Sequence, residues 1–342
     1  MRILSFFIFI FSFTASFAQP PHLKEQPSGS QSSLRGLSAV SDKIVWASGT
    51  EGQFLRTTDG GKNWQKGTVT GADSLDFRDI QAFSATEAVV ASAGQPARIY
   101  HTTDAGKSWK MVYDDKTGQA FFDALAFWNN EEGMAMSDPV NGYFLLLKTE
   151  DGGKSWKKIE KKKLPPALEG EAGFAASGTG LVTIAPDVAL FGTGGPAVRV
   201  FRSATGGESW EAYTTPMEAA TPSTGIYSMA FKDSLHGIAL GGDYTQPNAT
   251  TNHLLLSSDG GKSWQRVDHS GLRGYRSGVA FVPGSTNTYI AAGTNGIDIS
   301  YDGGKSWSPL SDTGMHAISF STSGRNGWAS GAKGKIIKFI FN

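Results

Sequence analysis

The chain has 342 residues, with 31 Lys and Arg against 31 Asp and Glu, and no cysteine. Balanced charge removes the electrostatic footprint that nucleic-acid binding needs, and the lack of thiols excludes disulfides, thiol catalysis and thiolate metal sites. An inventory of 43 Gly, 21 Phe and 9 Trp suits turn-rich sheets with aromatic cores.

In chain order, residues 1–18 stand apart: Arg2, then Ile3 to Phe13 almost wholly apolar, then Ser16-Phe17-Ala18 before Gln19. A charged start, a short apolar core and a small-residue cleavage site read as a secretory signal peptide. The alternative, a membrane anchor, is disfavoured because the apolar run is shorter than the roughly 20 residues a spanning helix needs. No cysteine follows, which excludes a lipid anchor. Residues 19–342 are expected to form one exported domain, periplasmic or extracellular, with no further membrane span.

Six copies of one phrase then recur, ending at Trp64, Trp109, Trp156, Trp210, Trp264 and Trp307, at steps of 45, 47, 54, 54 and 43 residues. A period of this size announces a repeat architecture. Each phrase is Ser or Thr, any residue, Asp, any, Gly, any, any, Trp, with the carboxylates Asp59, Asp104, Asp151, Asp259 and Asp302; the fourth copy carries Thr205 instead. An Asp side chain can accept hydrogen bonds from backbone N–H groups just ahead of it, and glycine supplies positive φ cheaply, so the phrase is a self-stapled turn. The Trp after it opens the next strand and has a large apolar area to bury.

Around each turn, four short strands can be read. The inner one ends on Val40, Phe83, Phe127, Phe231, Phe281 or Phe320; the second is small and apolar, as in Val45 to Gly49; the third runs into the turn, as in Phe54 to Thr58; the fourth starts at the Trp. No amphipathic helix is evident. At the C-terminus, Met315 to Phe341 supplies a further repeat with no turn phrase and no outer strand. Residues near His22 to Gln26 are expected to donate it by pairing with Ile336 to Phe341, which closes the ring and removes an open edge. The expected fold is all-β: a seven-bladed β-propeller with its closing blade shared between the two chain ends.

The phrase resembles the BNR or Asp-box repeat of sialidases, sortilin-type receptors and other β-propellers. Its spacing, with the entry Gly52 to Gly61 (Gly-x-x-x-Arg-Thr-Thr-Asp-Gly-Gly) into the third strand's turn, is most similar to the photosystem II assembly factor family. That resemblance covers essentially the whole chain after the leader. It implies boxes on the face away from the ligand and a non-catalytic scaffold that binds a partner protein.

Functional candidates therefore lie at the starts of the inner strands. Aligning the repeats on the inner-strand aromatic puts Arg35, Arg78 and Arg276 at one position, and Gly36, Asp79, Asp123, Tyr227, Ser277 and His316 at the next. Tyr275 stands beside Arg276, and loops between second and third strands add Asp138, Asp243 and Tyr244. Three arginines facing one axis could clamp a carboxylate or an acidic peptide; the plainer reading has each arginine tied to an Asp of the next blade. By resemblance, Arg35, Arg78 and Arg276 could correspond to an arginine-rich partner-binding face.

Glycoside hydrolysis is the rival reading, using paired carboxylates among Asp79, Asp123, Asp138 and Asp243. Phe77-Arg78-Asp79-Ile80 faintly resembles the Phe-Arg-Ile-Pro motif of sialidases but lacks the Pro, and sialidases have six blades. Gly-Lys-Ser at 106–108, 153–155, 261–263 and 304–306 lacks both the upstream Gly and the following helix of a phosphate loop. Gly192 to Gly195 lacks a dinucleotide context. His22, His101, His236, His253, His269 and His316 are scattered without ligand spacing. No metal and no cofactor are expected. Asn248-Ala249-Thr250 is a glycosylation sequon only in a eukaryotic source, within a long inserted loop from Tyr244 to His253.

Overall fold

A computed structural model describes residues 19–341. The signal-peptide expectation for residues 1–18 lies outside the described residues.

Seven antiparallel four-stranded sheets stand around one axis. Their inner strands are Leu34–Ala39, Asp76–Ala82, Phe122–Phe127, Leu181–Ile184, Thr224–Phe231, Gly278–Phe281 and Ala317–Phe320, opening blades 1 to 7. The fourth of these carries no terminal aromatic and ends on Ile184 before Ala185-Pro186, which is why the repeat pattern does not display it. Second strands such as Val45–Gly49 and Tyr289–Gly293 are buried throughout. They pack against neighbouring blades on both faces, so they read as continuous apolar runs rather than alternating ones. The core is divided accordingly into seven apolar clusters, one between each pair of adjacent blades, and a small eighth on the axis formed by Ala176, Tyr227 and Tyr275 with Phe174 against it.

Closure occurs as the chain-end pattern implies. His22–Gln26 pairs antiparallel with Ile336–Ile340, His22 opposite Ile340 and Gln26 opposite Ile336. Gln26 then donates from Nε2 to the Gly60 carbonyl at 3.0 Å, fastening blade 7 to the first box.

The boxes staple themselves. In the first, Thr57 Oγ1 accepts from the Gly61 N–H at 2.9 Å and Asp59 Oδ1 accepts from the Asn63 N–H at 3.0 Å. In the fourth, Thr205 takes over the carboxylate's task, its Oγ1 accepting from the Ser209 N–H at 2.9 Å. Gly60 and Gly61 take φ of 75° and 84°, where a Cβ is penalised. Trp156, Trp210, Trp264 and Trp307 are buried and donate from Nε1 to the carbonyl of the box's last glycine at 3.0–3.1 Å. Trp64 and Trp109 are only partly buried, and their indole nitrogens have no partner among the described residues. Each box also donates an N–H to the turn between first and second strands of its blade, as Gly60 does to Lys43 O at 2.9 Å. Boxes therefore sit on the face where inner strands end, opposite the face where they begin.

Lys161–Lys163 forms a short 3-10 turn at the surface. No helix among the described residues is long and apolar enough to cross a membrane.

Candidate functional site: the axial mouth and its plug

Four inner strands carry a one-residue bulge near their start, at Arg35, Arg78, Asp123 and Tyr227. A bulge leaves one residue outside the ladder and re-aims its side chain. Counting each blade back four residues from its last ladder pair (Ala39–Val45, Ala82–Ala88, Phe127–Gly133, Phe231–Gly237, Phe281–Tyr289, Phe320–Gly327) gives one ring of equivalents: Arg35, Arg78, Asp123, Tyr227, Ser277 and His316. Thr179 holds the same place in blade 4, counted from Thr183–Ala189.

This corrects the alignment made on terminal aromatics. Val40 and Phe83 fall one residue beyond the ladder, whereas Phe127, Phe231, Phe281 and Phe320 lie within it. Arg276 is consequently one step out of register with Arg35, and a one-residue slip sends a side chain to the other face. Arg276 is fully buried inside blade 6. It donates from Nε to Asp298 Oδ2 at 3.0 Å, from Nη2 to the same oxygen, and from Nη1 to Asn295 Oδ1 at 2.6 Å. Its Asp partner belongs to its own blade rather than to the next. Asp298 also takes Arg273 Nε at 2.6 Å.

Arg35 and Arg78 do face the axis, but neither is tied to an Asp of the next blade. They meet a segment absent from the repeat pattern. Residues 172–180, between blades 3 and 4, cross the channel and plug it. Arg35 Nη1 donates to Ala176 O and Arg78 Nη1 to Ala175 O, each at 3.3 Å. Phe174 stacks on Tyr227 with centroids 3.9 Å apart and planes 15° off parallel. Gly173 N–H donates to Asp138 Oδ1 at 2.8 Å, Ser177 Oγ to Ser277 O at 2.6 Å, and Thr179 Oγ1 shares a hydrogen bond with Ser228 Oγ at 2.6 Å. Glycine is demanded at Gly178, where φ is +77° and a Cβ would lie 2.2 Å from Asp79 Oδ1. The signal for the plug was the 54-residue step from Trp156 to Trp210 together with Gly170, Gly173, Gly178 and Gly180.

Above the plug lies a cavity of about 320 Å³ lined by Arg35, Arg78, Tyr227, Tyr244, Tyr275 and His316, with Phe174 to Ala176 as its floor. Five of the ten rim candidates thus converge there: Arg35, Arg78, Tyr244, Tyr275 and His316. Tyr244 is 56% exposed and forms the lip, edge-on to Tyr227. Arg78 donates from Nε to Asp76 at 2.7 Å, a half-exposed pair. Arg35 contacts no carboxylate among the described residues; burial, then the Arg78 charge, push its guanidinium below the ordinary range. Burial, then the Arg35 and Arg78 charges, bring His316 down to about 4, so it is neutral near pH 7.

The remaining carboxylates do not line this cavity. Asp79 is buried and accepts the Ile80 and Leu125 N–H groups at 2.7 and 2.5 Å; burial outweighs these donors and raises it to about 7. Asp123, although at a ring position, lies beneath Gly173, with both oxygens buried and unpartnered among the described residues. Burial, then the Asp138 charge, hold it well above the carboxylate range. Asp138 is raised to about 6 by burial. Asp243 closes a turn: burial works against its charge, but donors from Thr245, Ser223 and Thr221 bring it down to about 2.

Comparison with known proteins agrees with the fold. The family model for the photosynthesis system II assembly factor YCF48 matches residues 29–117. Among solved structures, YCF48 bound to D1 peptide superposes with a TM-score of 0.68 at 18% identity, covering 97% of this chain and 100% of that one. YCF48 from Cyanidioschyzon merolae gives 0.64 at 21% identity, covering 93% and 98%. No protein of curated function matches in sequence. The chain is a BNR-type seven-bladed β-propeller that resembles the photosystem II assembly factor YCF48 proteins, in sequence over its first two blades and in fold over nearly its whole length.

Proposed function

We propose that the protein is an exported, non-catalytic assembly factor or scaffold, one propeller domain over residues 19–342, that holds an acidic segment of a partner protein at the axial mouth. The observation that carries this reading is Arg35: a largely buried guanidinium beside a second arginine, with only one backbone carbonyl at 3.3 Å and no carboxylate of its own. Buried charges in folded proteins are paired, and an anionic ligand supplies the missing partner bidentately. The related-fold structure of YCF48 bound to D1 peptide supports a peptide as the ligand class. Burial of Asp79 and Asp123 beneath the plug supports a non-catalytic role, since a hydrolase needs two carboxylates open to its sugar.

Co-isolation from source cells tests the reading. Wild type is expected to retain a partner that an Arg35→Ala, Arg78→Ala double variant loses; equal recovery by both overturns it. A panel of chromogenic glycosides, sialosides included, tests the rival: turnover by wild type that is lost in Arg78→Ala or Asp123→Ala would establish a hydrolase. Export is tested by N-terminal sequencing of the protein from its cells, where a mature chain is expected to begin at Gln19.

A further inference from the structure

The plug occupies the place of the ligand proposed above. Its tip, Phe174-Ala175-Ala176, offers two successive carbonyls to Arg78 and Arg35 and lays an aromatic ring on Tyr227. Within the tip, the Ala176 N–H donates only to Phe174 O, at 2.9 Å. Its roots are held more firmly. Gly173 is fixed to Asp138, Ser177 to Ser277 and Thr179 to Ser228, at 2.8, 2.6 and 2.6 Å. Glycines at 173 and 178 flank the segment, the latter with φ +77°.

Resting on that reading of the mouth, we propose that residues 174–176 are an internal stand-in for the ligand, and that an acidic peptide bearing an aromatic ring binds by displacing this tip from the arginines and from Tyr227. The competition favours the incoming group. The arginine bonds to the plug carbonyls are single contacts 3.3 Å long, whereas a carboxylate brings a full opposite charge and takes a guanidinium bidentately at about 2.7–2.9 Å. An arriving aromatic side chain replaces the Phe174 ring on Tyr227, so the stack lost by the plug is regained by the ligand. The partner's chemistry follows from what it replaces: a carboxylate within one or two residues of an aromatic ring.

The test uses acetyl-Phe-Asp-amide as probe and acetyl-Phe-Asn-amide as its neutral control, with the full chain as wild type, Phe174→Ala and Arg35→Met. Titration is expected to show Phe174→Ala binding the Asp probe about twofold to tenfold tighter than wild type, and Arg35→Met weaker by about tenfold or more. Amide hydrogen exchange at residues 174–177 is expected to accelerate when wild type is saturated with probe. Arginine-dependent binding with slowed or unchanged exchange there, and equal affinity in Phe174→Ala, overturns displacement while leaving the mouth as the partner site. Equal binding of the Asn control overturns the acidic ligand. Lack of binding by both wild type and Phe174→Ala overturns the inference, and the co-isolation result then stands or falls independently of the probe.

Discussion

Arg35 in blade 1 and Arg276 in blade 6 come from look-alike stretches of sequence and have opposite fates. Arg276 is sealed inside its blade against Asp298. At the same register blade 1 carries Leu34, and in place of Asp298, two residues before the box Ser or Thr, it carries Leu55. Both leucines belong to the apolar cluster between blades 7 and 1. Blade 6 has thus replaced an apolar layer by an ion pair, whereas Arg35 sits on a bulge and turns to the axis with no carboxylate bonded to it. An arginine sealed against a carboxylate of its own blade holds structure.

The sharpest way to break this contrast is to remove each arginine's surroundings in turn. Asp298→Ala leaves Arg276 buried and unpaired, and is expected to cost about 3–5 kcal/mol, read from the denaturation midpoint. Replacing Arg276 and Asp298 together by leucine, as in blade 1, is expected to be neutral or stabilising. Arg35→Met is expected to cost much less than Asp298→Ala, since it removes a charge to which no carboxylate is bonded and keeps the apolar stem. A large loss for Arg35→Met alongside a small one for Asp298→Ala would reverse the assignment.

Next in size, Gly178→Ala forces a side chain into left-handed backbone and against Asp79. It is expected to cost about 2 kcal/mol and to raise proteolytic cleavage within residues 172–180. Unchanged stability would mean that the plug contributes little to the closed axis.

A pH series separates the mouth from the carboxylates beneath it. Asp79 and Asp138 have folded-state values of about 7 and 6, above the ordinary 3.8, because burial favours their protonated forms. Their contribution to stability is fully present below the unfolded value and is lost as pH rises through 6 to 7. His316 works the other way: lowered from 6.5 to about 4, its contribution is present above 6.5 and lost as pH falls towards 4. Asp79→Asn is expected to flatten much of the decline between pH 4 and 7; an unaltered slope would place the titration elsewhere.

The smallest effect sharpens the comparison within the mouth. Asp76 half-neutralises Arg78, so Asp76→Asn is expected to leave it as open as Arg35. Affinity for an acidic peptide is then expected to rise by about twofold to fivefold, in keeping with about 0.2–1 kcal/mol for an exposed pair.

Much of this was legible in one dimension. The Asp-Gly-Trp boxes specify their own turns through contacts four residues apart, the small apolar second strands announce burial on both faces, and the two incomplete ends match each other, so blade number and closure could be read directly. Asp298 was also visible, as a lone acid in the run Ile297-Asp298-Ile299, though nothing local tied it to Arg276. The rim was harder: Val40 and Phe83 look like Phe281, and only ladder pairing reveals that they stand one residue further along.

What the amino-acid order determined by itself was the set of short-range structures, because turns, caps and strand patterns depend on neighbours within a few residues. Tertiary structure alone decided which charges are sealed and which are open. Residues 172–180 carry no periodic signal, and their path across the axis depends on partners from blades 1, 2, 3, 5 and 6 arriving together. Burial, and with it the state of Asp79, Asp123 and His316, is a property of that assembled centre and not of any local stretch.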